Sequence, residues 1–259
     1  MIAERIKARE RHLASLRPPR PKNAVCTECK KSFDPEWNTF EGRWTYPGRT
    51  EKGLCFSCQR KMKIRKHIQK YLERTGVPPK YVRCSFENFE ITKGNTWVFR
   101  VCKSYAFDPR GNLLTYGDCG TGKTHMVVAI TRELLLTARK VLFTSMADLT
   151  FEIKKAFKTN AESTEEELMK RYLKCEYLVL DDFGIEKTTE WVQQTANYLI
   201  CKRDSNNMPT IVTSNLSPDE IGNAYGDRVA SRLIGDHGAI HFTGPDYRLK
   251  IAKIKQRRF

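Results

Sequence analysis

Residues 112–136, NLLTYGDCGTGKTHMVVAITRELLL, set Gly117-x-x-x-x-Gly122-Lys123-Thr124 between a short apolar run and a long helical pattern. No other feature of the chain restricts its fold as much. A phosphate-cradling loop works where a strand delivers it to a helix N-terminus. Glycines there let backbone N–H groups close on the phosphates, and the helix end adds partial positive charge. The remaining strands are legible from that anchor. KVLFTSM at 140–146, EYLVLDD at 176–182 and PTIVTSN at 209–215 are further apolar runs, with helix-length segments between them. Apolar strands alternating with helices predict an α/β fold whose parallel sheet is covered on both faces.

The candidate cofactor-binding loop is Gly117, Asp118, Cys119, Gly120, Thr121, Gly122, Lys123, Thr124 and His125. Lys123 is expected to reach the β- and γ-phosphates and Thr124 to ligate magnesium, so a nucleoside triphosphate with Mg²⁺ is expected, which the resemblance given below narrows to ATP. Cys119 fills a free position of the motif with a small side chain. The run Tyr177-Leu178-Val179-Leu180 ends in Asp181-Asp182 about 55 residues beyond the loop. Asp181 can hold Mg²⁺ through water and Asp182 can polarise an attacking water, which argues for hydrolysis rather than binding alone. The next strand ends in Thr213-Ser214-Asn215, where Asn215 would lie beside the γ-phosphate. Ser-Asn endings are also ordinary turn chemistry. Arg228 and Arg232 stand one helical turn apart in GDRVASRL, and Arg248 lies in PDYR; composition alone makes all three surface charges.

From about Thr75 to Leu249 the chain resembles the DnaC/DnaI helicase loaders and their relatives, the IstB-type transposition ATPases, within the AAA+ superfamily. GVPPKYVRCSFENF, GDCGTGKTH, VLFTSMADL, YLVLDDFG, PTIVTSNLS and GDRVASRLIG carry the resemblance, in that order. It implies an AAA+ P-loop domain, a parallel sheet sandwiched by helices, with a short lid. By the same resemblance Lys123 and Thr124 are Walker A, Asp181 and Asp182 Walker B, and Asn215 the first sensor. Arg232 is the arginine finger given to a neighbouring subunit, with Arg228 as the alternative, and Arg248 is the second sensor. A finger supplied in trans is worth ~10³-fold or more in rate, so the implied enzyme self-associates through its ATP sites.

The front of the chain has a different character. Residues 1–80 hold 20 Lys and Arg against 8 acidic residues and the remainder 26 against 22, so most of the +16 net charge sits there. A basic front end on a near-balanced ATPase points to a polyanionic partner, most simply nucleic acid, with a solvated basic face or an acidic protein partner as the alternatives. Ile2, Ile6, Leu13 and Leu16 form one stripe of a predicted helix ended by Pro18 and Pro19. Cys26-x-x-Cys29 and Cys55-x-x-Cys58, with 25 residues between the pairs, offer four thiolates to a structural Zn²⁺. Phe33, Trp37, Phe40, Trp44 and Tyr46 either wrap that module or offer faces for base stacking. Residues 59–75 read as a basic helix closed by Gly76, and GVPPK as the joint between an N-terminal domain (1–76) and the ATPase domain (77–259). Ser163-x-x-Glu166 and Ser217-x-x-Glu220 read as capping boxes.

Helicase loaders can carry an N-terminal zinc domain that binds the replicative helicase. The resemblance therefore implies a hexameric replicative DNA helicase and single-stranded DNA as partners, with a transposase as the alternative. The chain has no long apolar run and no secretory signal pattern, so no membrane partner and a cytoplasmic site are expected, with the nine cysteines reduced.

Overall fold

A computed structural model describes residues 20–38, 43–50, 53–156, 164–235 and 237–249. The helix expected over 1–17 and the basic tail from residue 250 lie outside them. The chain divides into two compact units, Met1–Lys66 and His67–Phe259.

In the first unit β1 (Ala24–Val25) pairs antiparallel with β2 (Ser32–Phe33), and β3 (Glu36–Asn38) with β4 (Arg43–Thr45), which puts Trp37 opposite Trp44 in register. Helix α1 (Phe56–Lys66) follows. The core of this unit is Cys26, Phe33, Leu54, Cys55 and Cys58, with Tyr46 packed against it. Three of those five are cysteines, so apolar burial alone is a thin basis for a fold of this size.

The predicted basic helix over 59–75 is two helices. It breaks at His67, where α2 (Ile68–Thr75) begins. α1 is polar nearly all round, whereas α2 buries Ile68, Leu72 and Thr75 and packs in the second unit. The compact units therefore divide about ten residues before the GVPPK stretch chosen from sequence. Gly76 closes α2 at φ +102°, and a Cβ there would stand 2.1 Å from the Phe143 carbonyl oxygen.

The second unit continues through a 3₁₀ turn (Pro79–Tyr81) and α3 (Thr96–Phe107) into β5 (Leu113–Gly117) and α4 (Lys123–Leu136). Then come β6 (Val141–Ser145), α5 (Met146–Lys155), α6 (Glu165–Lys174) and β7 (Tyr177–Phe183). Last are α7 (Glu190–Ser205), β8 (Thr210–Ser214), α8 (Pro218–Tyr225), α9 (Asp227–Ile234) and β9 (Ala239–Phe242). The five strands form one sheet in the order β6-β7-β8-β5-β9, all parallel. Leu178, Leu180, Val212 and Leu114 on the strands pack with Leu149, Leu199, Ile221 and Leu233 of the helices. The AAA+ parallel-sheet core is thus present, and it gains β9 at the edge beside β5, a strand too short and too polar at His241 to be read from sequence.

The capping box of α6 lies one residue further on than expected. Thr164 Oγ1 accepts from the Glu167 amide while the Glu167 carboxylate takes the Thr164 N–H at 2.9 Å. Glu166 points instead at Lys170, one turn along. The box of α8 is Ser217 with Glu220. A helical turn starts at Tyr247–Leu249, and any further lid lies outside the described residues.

Candidate functional site

β5 ends at Gly117, and the chain turns through Asp118–Thr121 to start α4 with Lys123. Gly122 precedes the helix at φ +100°, and a Cβ on it would press to 2.8 Å from the Phe89 ring. Lys123 is buried. Its Nζ donates to the carbonyls of Gly117 (2.7 Å) and Asp118 (2.8 Å) and to Asn215 Oδ1 (2.8 Å). Burial pulls its ammonium down from the ordinary lysine value, and the neighbouring Cys119, Asp182 and Asp181 side chains oppose that fall.

Parallel pairing brings the ends of β5, β7 and β8 together on this side of the sheet. Thr124 Oγ1 donates to Asp181 Oδ1 at 3.0 Å, and Thr213 Oγ1 donates to the same oxygen at 2.7 Å. Burial raises the Asp181 carboxyl, and the Thr213 hydroxyl opposes that rise. The ladder between β7 and β8 is irregular between Leu180 and Phe183, and Asp182 there takes φ +53°. A non-glycine residue in the left-handed region is held by its surroundings. Here the Asp182 N–H donates to Thr213 Oγ1 at 2.9 Å. The irregularity turns Asp182 out of the buried strand pattern to a half-buried position.

Asn215 is exposed at the end of β8, with its amide nitrogen donating to Cys119 Sγ at 3.3 Å. Thr121 Oγ1 bonds back to the Asp118 carbonyl at 2.7 Å and tightens the loop. The segment after β9 returns to the same place. The Tyr247 N–H donates to the Gly120 carbonyl at 3.0 Å, and the Arg248 N–H to Asp246 Oδ1 at 2.8 Å. The Arg248 guanidinium is 70% exposed and close enough that its charge acts on Lys123. His125 meets the segment that precedes α3. Its Nε2 lies 3.0 Å from the Ser85 carbonyl, its ring stands edge-on to Phe89 at 5.2 Å, and burial lowers its pKa.

Lys123, Thr124, Asp181, Asp182, Asn215 and Arg248 therefore converge. Arg232 does not join them. Its guanidinium pairs with Asp204 of α7, and its carbonyl accepts from Asn112 Nδ2 at 2.9 Å. Asn112 also donates to Asp204 Oδ1 at 3.1 Å and accepts from the Thr210 N–H at 2.8 Å. Asn112 and Thr210 stand at the starts of β5 and β8, so Arg232 lies at the end of the sheet opposite the loop, ~17 Å of strand away. Arg228 is exposed on α9, with no ion pair recorded among the described residues.

Thr213, Phe89, Asn112 and Asp204 were not singled out from sequence. PTIVTSN contained Thr213 and SFENF contained Phe89, but only the folded register shows which hydroxyl and which ring meet the site. The glycine loop, the amine and the pair of hard oxygen donors on Thr124 and Asp181 suit a nucleotide polyphosphate with Mg²⁺.

In the other unit the sulfurs of Cys26, Cys29, Cys55 and Cys58 all lie within 4.8 Å of one another. Those of Cys29 and Cys55 are 3.8 Å apart, the edge of a tetrahedron whose metal–sulfur bonds are ~2.3 Å. The Cys55 N–H donates to Cys26 Sγ and the Cys58 N–H to Cys55 Sγ, both at 3.3 Å. These amides draw the Cys26 thiol down to about 6 and lower Cys55, while the Cys55 sulfur beside it pushes Cys58 up to about 12. Four convergent sulfurs with amide support fit Zn²⁺. Phe33 is buried beside them, and Trp44 and Tyr46 are half-buried; Phe40 and the Trp37 side chain lie outside the described residues. Of the unpaired cysteines Cys102 and Cys201 are buried, and Cys84 and Cys175 partly so.

Comparison with known proteins gives consistent matches. The family model for IstB-like ATP binding proteins matches residues 61–253. The replicative helicase loader DnaC of Buchnera aphidicola subsp. Baizongia pistaciae is 32% identical over 220 residues, 83% of this chain and 85% of that protein. The replicative helicase loader DnaC of Escherichia coli K12 is 29% identical over 189 residues, 71% of this chain and 77% of that one. A crystal structure of the DnaC helicase loader superposes with a TM-score of 0.57 at 21% identity, covering 64% of this chain and all of that one, and supports the fold.

Proposed function

The chain belongs to the IstB-like ATP-binding protein family as a DnaC-type member, and from that premise we propose that it is an ATP-dependent loader delivering a hexameric replicative DNA helicase to single-stranded DNA. The N-terminal unit, held by Zn²⁺ on Cys26, Cys29, Cys55 and Cys58, contacts the helicase. The second unit is the ATPase.

Bound ATP·Mg²⁺ supplies the phosphoanhydride bond whose cleavage releases the loader. Lys123, now on the loop carbonyls, would hold phosphate oxygens, and Thr124 and Asp181 would hold Mg²⁺. Asp182, turned out by the strand irregularity, orients water and draws on its proton, and Asn215 fixes the position of that water. Arg248 neutralises charge from the lid side.

The observation that carries the reading is the separation of Arg232 from its own loop. A guanidinium held by Asp204 at the far end of the sheet cannot serve its own subunit, which agrees with the role of finger to a neighbouring subunit that the resemblance implies, and under that reading hydrolysis needs an assembly. Arg228, exposed on the same helix, is the other candidate for this role.

Two measurements test this. A hexameric helicase should co-purify with the tagged chain; a transposase in its place would mean a transposition ATPase instead. Turnover per chain should rise with concentration, vanish in both Arg232→Ala and Asp182→Asn, and return when the two variants are mixed. Turnover independent of dilution, with no recovery on mixing, would refute the shared site.

A further inference from the structure

The N-terminal unit contains a strongly basic helix. α1 reads FSCQRKMKIRK: five of its 11 residues are cationic, none is acidic, and only Cys58 and Ile64 are buried. Arg60, Lys63, Arg65 and Lys66 are exposed, and no acidic partner is recorded for any of them among the described residues. Arg60 and Lys63, Lys63 and Lys66, and Lys61 and Arg65 repel one another at helical i,i+3 and i,i+4 spacing. Lys63, Arg65 and Lys66 gain from the helix dipole in the last turn, but the like-charge spacing still leaves a strongly basic exposed surface that a ligand of opposite sign would relieve. Phe56 opens α1 at 62% exposure and Met62 is 46% exposed, so apolar surface lies among the cations.

We propose that the face of α1 carrying Phe56, Arg60, Lys63 and Lys66 is a single-stranded nucleic-acid surface, with the cations on successive phosphates and the Phe56 ring under a base. These residues recur at i, i+4, i+7 and i+10 and so share one side of the helix. Cations following a backbone with an aromatic platform among them is the arrangement that grips single strands without reading sequence. The cysteine cluster fixes the start of the helix, because Cys55 and Cys58 flank Phe56. An acidic protein surface would also meet the charge and could seat the ring, but cations at i+4, i+7 and i+10 from Phe56 form a row along the helix, which suits a linear polyanion better than a patch. The proposal rests on the loader reading insofar as that reading includes single-stranded DNA, and it assigns to α1 a strand-gripping role outside the ATPase unit.

The test is binding of a fluorescein-labelled oligo-dT of about 20 nucleotides to the full, zinc-loaded chain with ATP and Mg²⁺, over a range of salt. Each phosphate contact on a single strand contributes ~0.7 to the slope of log affinity against log salt. The triple variant Arg60→Gln, Lys63→Gln, Lys66→Gln should therefore flatten that slope by about 2 and weaken binding about 10²-fold at 0.1 M salt. Glutamine keeps helix propensity, and zinc content and ATP affinity report that both units remain folded. Phe56→Ala should weaken binding about 5- to 150-fold and leave the slope unchanged, because stacking releases no counterions. A triple variant with wild-type slope and affinity would overturn the assignment while leaving DNA binding by the loader intact. Loss of helicase capture with unchanged DNA binding would also overturn it, by giving α1 to a protein partner. Absence of oligo-dT binding by the unaltered chain would sink the assignment together with the DNA half of the loader reading.

Discussion

Replacing Thr213 by valine removes one hydroxyl that serves both Asp181 and Asp182. The side chain is fully buried, donates to Asp181 Oδ1 at 2.7 Å and accepts from the Asp182 N–H at 2.9 Å. A hydrogen bond to a charged acceptor contributes ~1.5–3 kcal/mol, and a buried N–H left without a partner costs ~1–3 kcal/mol. Asp182 is only half-buried, so water replaces part of the second loss, and about 2–3 kcal/mol is expected in total. In a unit of this size that lowers Tm by about 5–10 °C. Thr213→Ser keeps the hydroxyl and should recover most of it. The variant also changes the pH response. Burial already raises the Asp181 carboxyl, and the Thr213 O–H opposes that rise, so its loss raises Asp181 further. A carboxyl raised by folding supports the metal-free protein at low pH, and that support is lost as pH increases through the folded-state value. Mg²⁺ needs the ionised form, so its affinity runs the other way and falls as pH drops through the same value. In Thr213→Val this fall should begin at higher pH. Thermal melts, with Mg²⁺ titrations of fluorescent ATP binding between about pH 5 and 8, measure both. A valine variant melting within about 1 °C of the parent with an unshifted Mg²⁺ midpoint would refute the reasoning.

Two further outcomes follow from the same geometry. Chelating zinc, or Cys58→Ser, should unfold the N-terminal unit, whose core contains three of the ligand cysteines, while ATP binding persists on the separately cored second unit; near-ultraviolet circular dichroism of Trp44 and Tyr46 and a nucleotide titration separate the two. Asp204→Ala should free Arg232 and slow assembled hydrolysis about tenfold without changing ATP affinity, a loss near 1.4 kcal/mol of transition-state stabilisation. Combined with Arg232→Ala it should cost nothing more, and additive losses in that double-mutant cycle would show that Asp204 does not act through Arg232.

What was legible in the sequence is what local chemistry determines. The loop from Gly117 to Thr124 announces itself because its glycines, amine and hydroxyl work only at a strand-to-helix turn, and the cysteine pairs because their ligand atoms are unmistakable. Ser217–Glu220 was legible as a capping box, whereas near Glu166 the sequence allows two overlapping boxes and the one formed is Thr164–Glu167, with Glu166 paired to Lys170. The break at His67 was not legible, because Gln, Lys and Arg suit a helix equally on either side of it, and only the buried stripe of Ile68, Leu72 and Thr75 separates the two.

The arginines mark the deeper limit. Spacing puts Arg228 and Arg232 on one helix but says nothing of where that helix sits, which depends on Asn112 meeting Asp204 across 92 residues of chain. That contact has a mechanistic consequence under the proposed function. Asn112 binds both the Arg232 carbonyl and the Thr210 N–H, so the helix carrying the guanidinium is tied to the starts of the two strands whose ends hold Lys123 and Asn215. Strands in the middle of a five-stranded sheet do not stretch. If Arg232 serves a neighbour as proposed, each subunit's own loop and that guanidinium are fixed to the same pair of strands, and the geometry of one site would follow that of the one beside it.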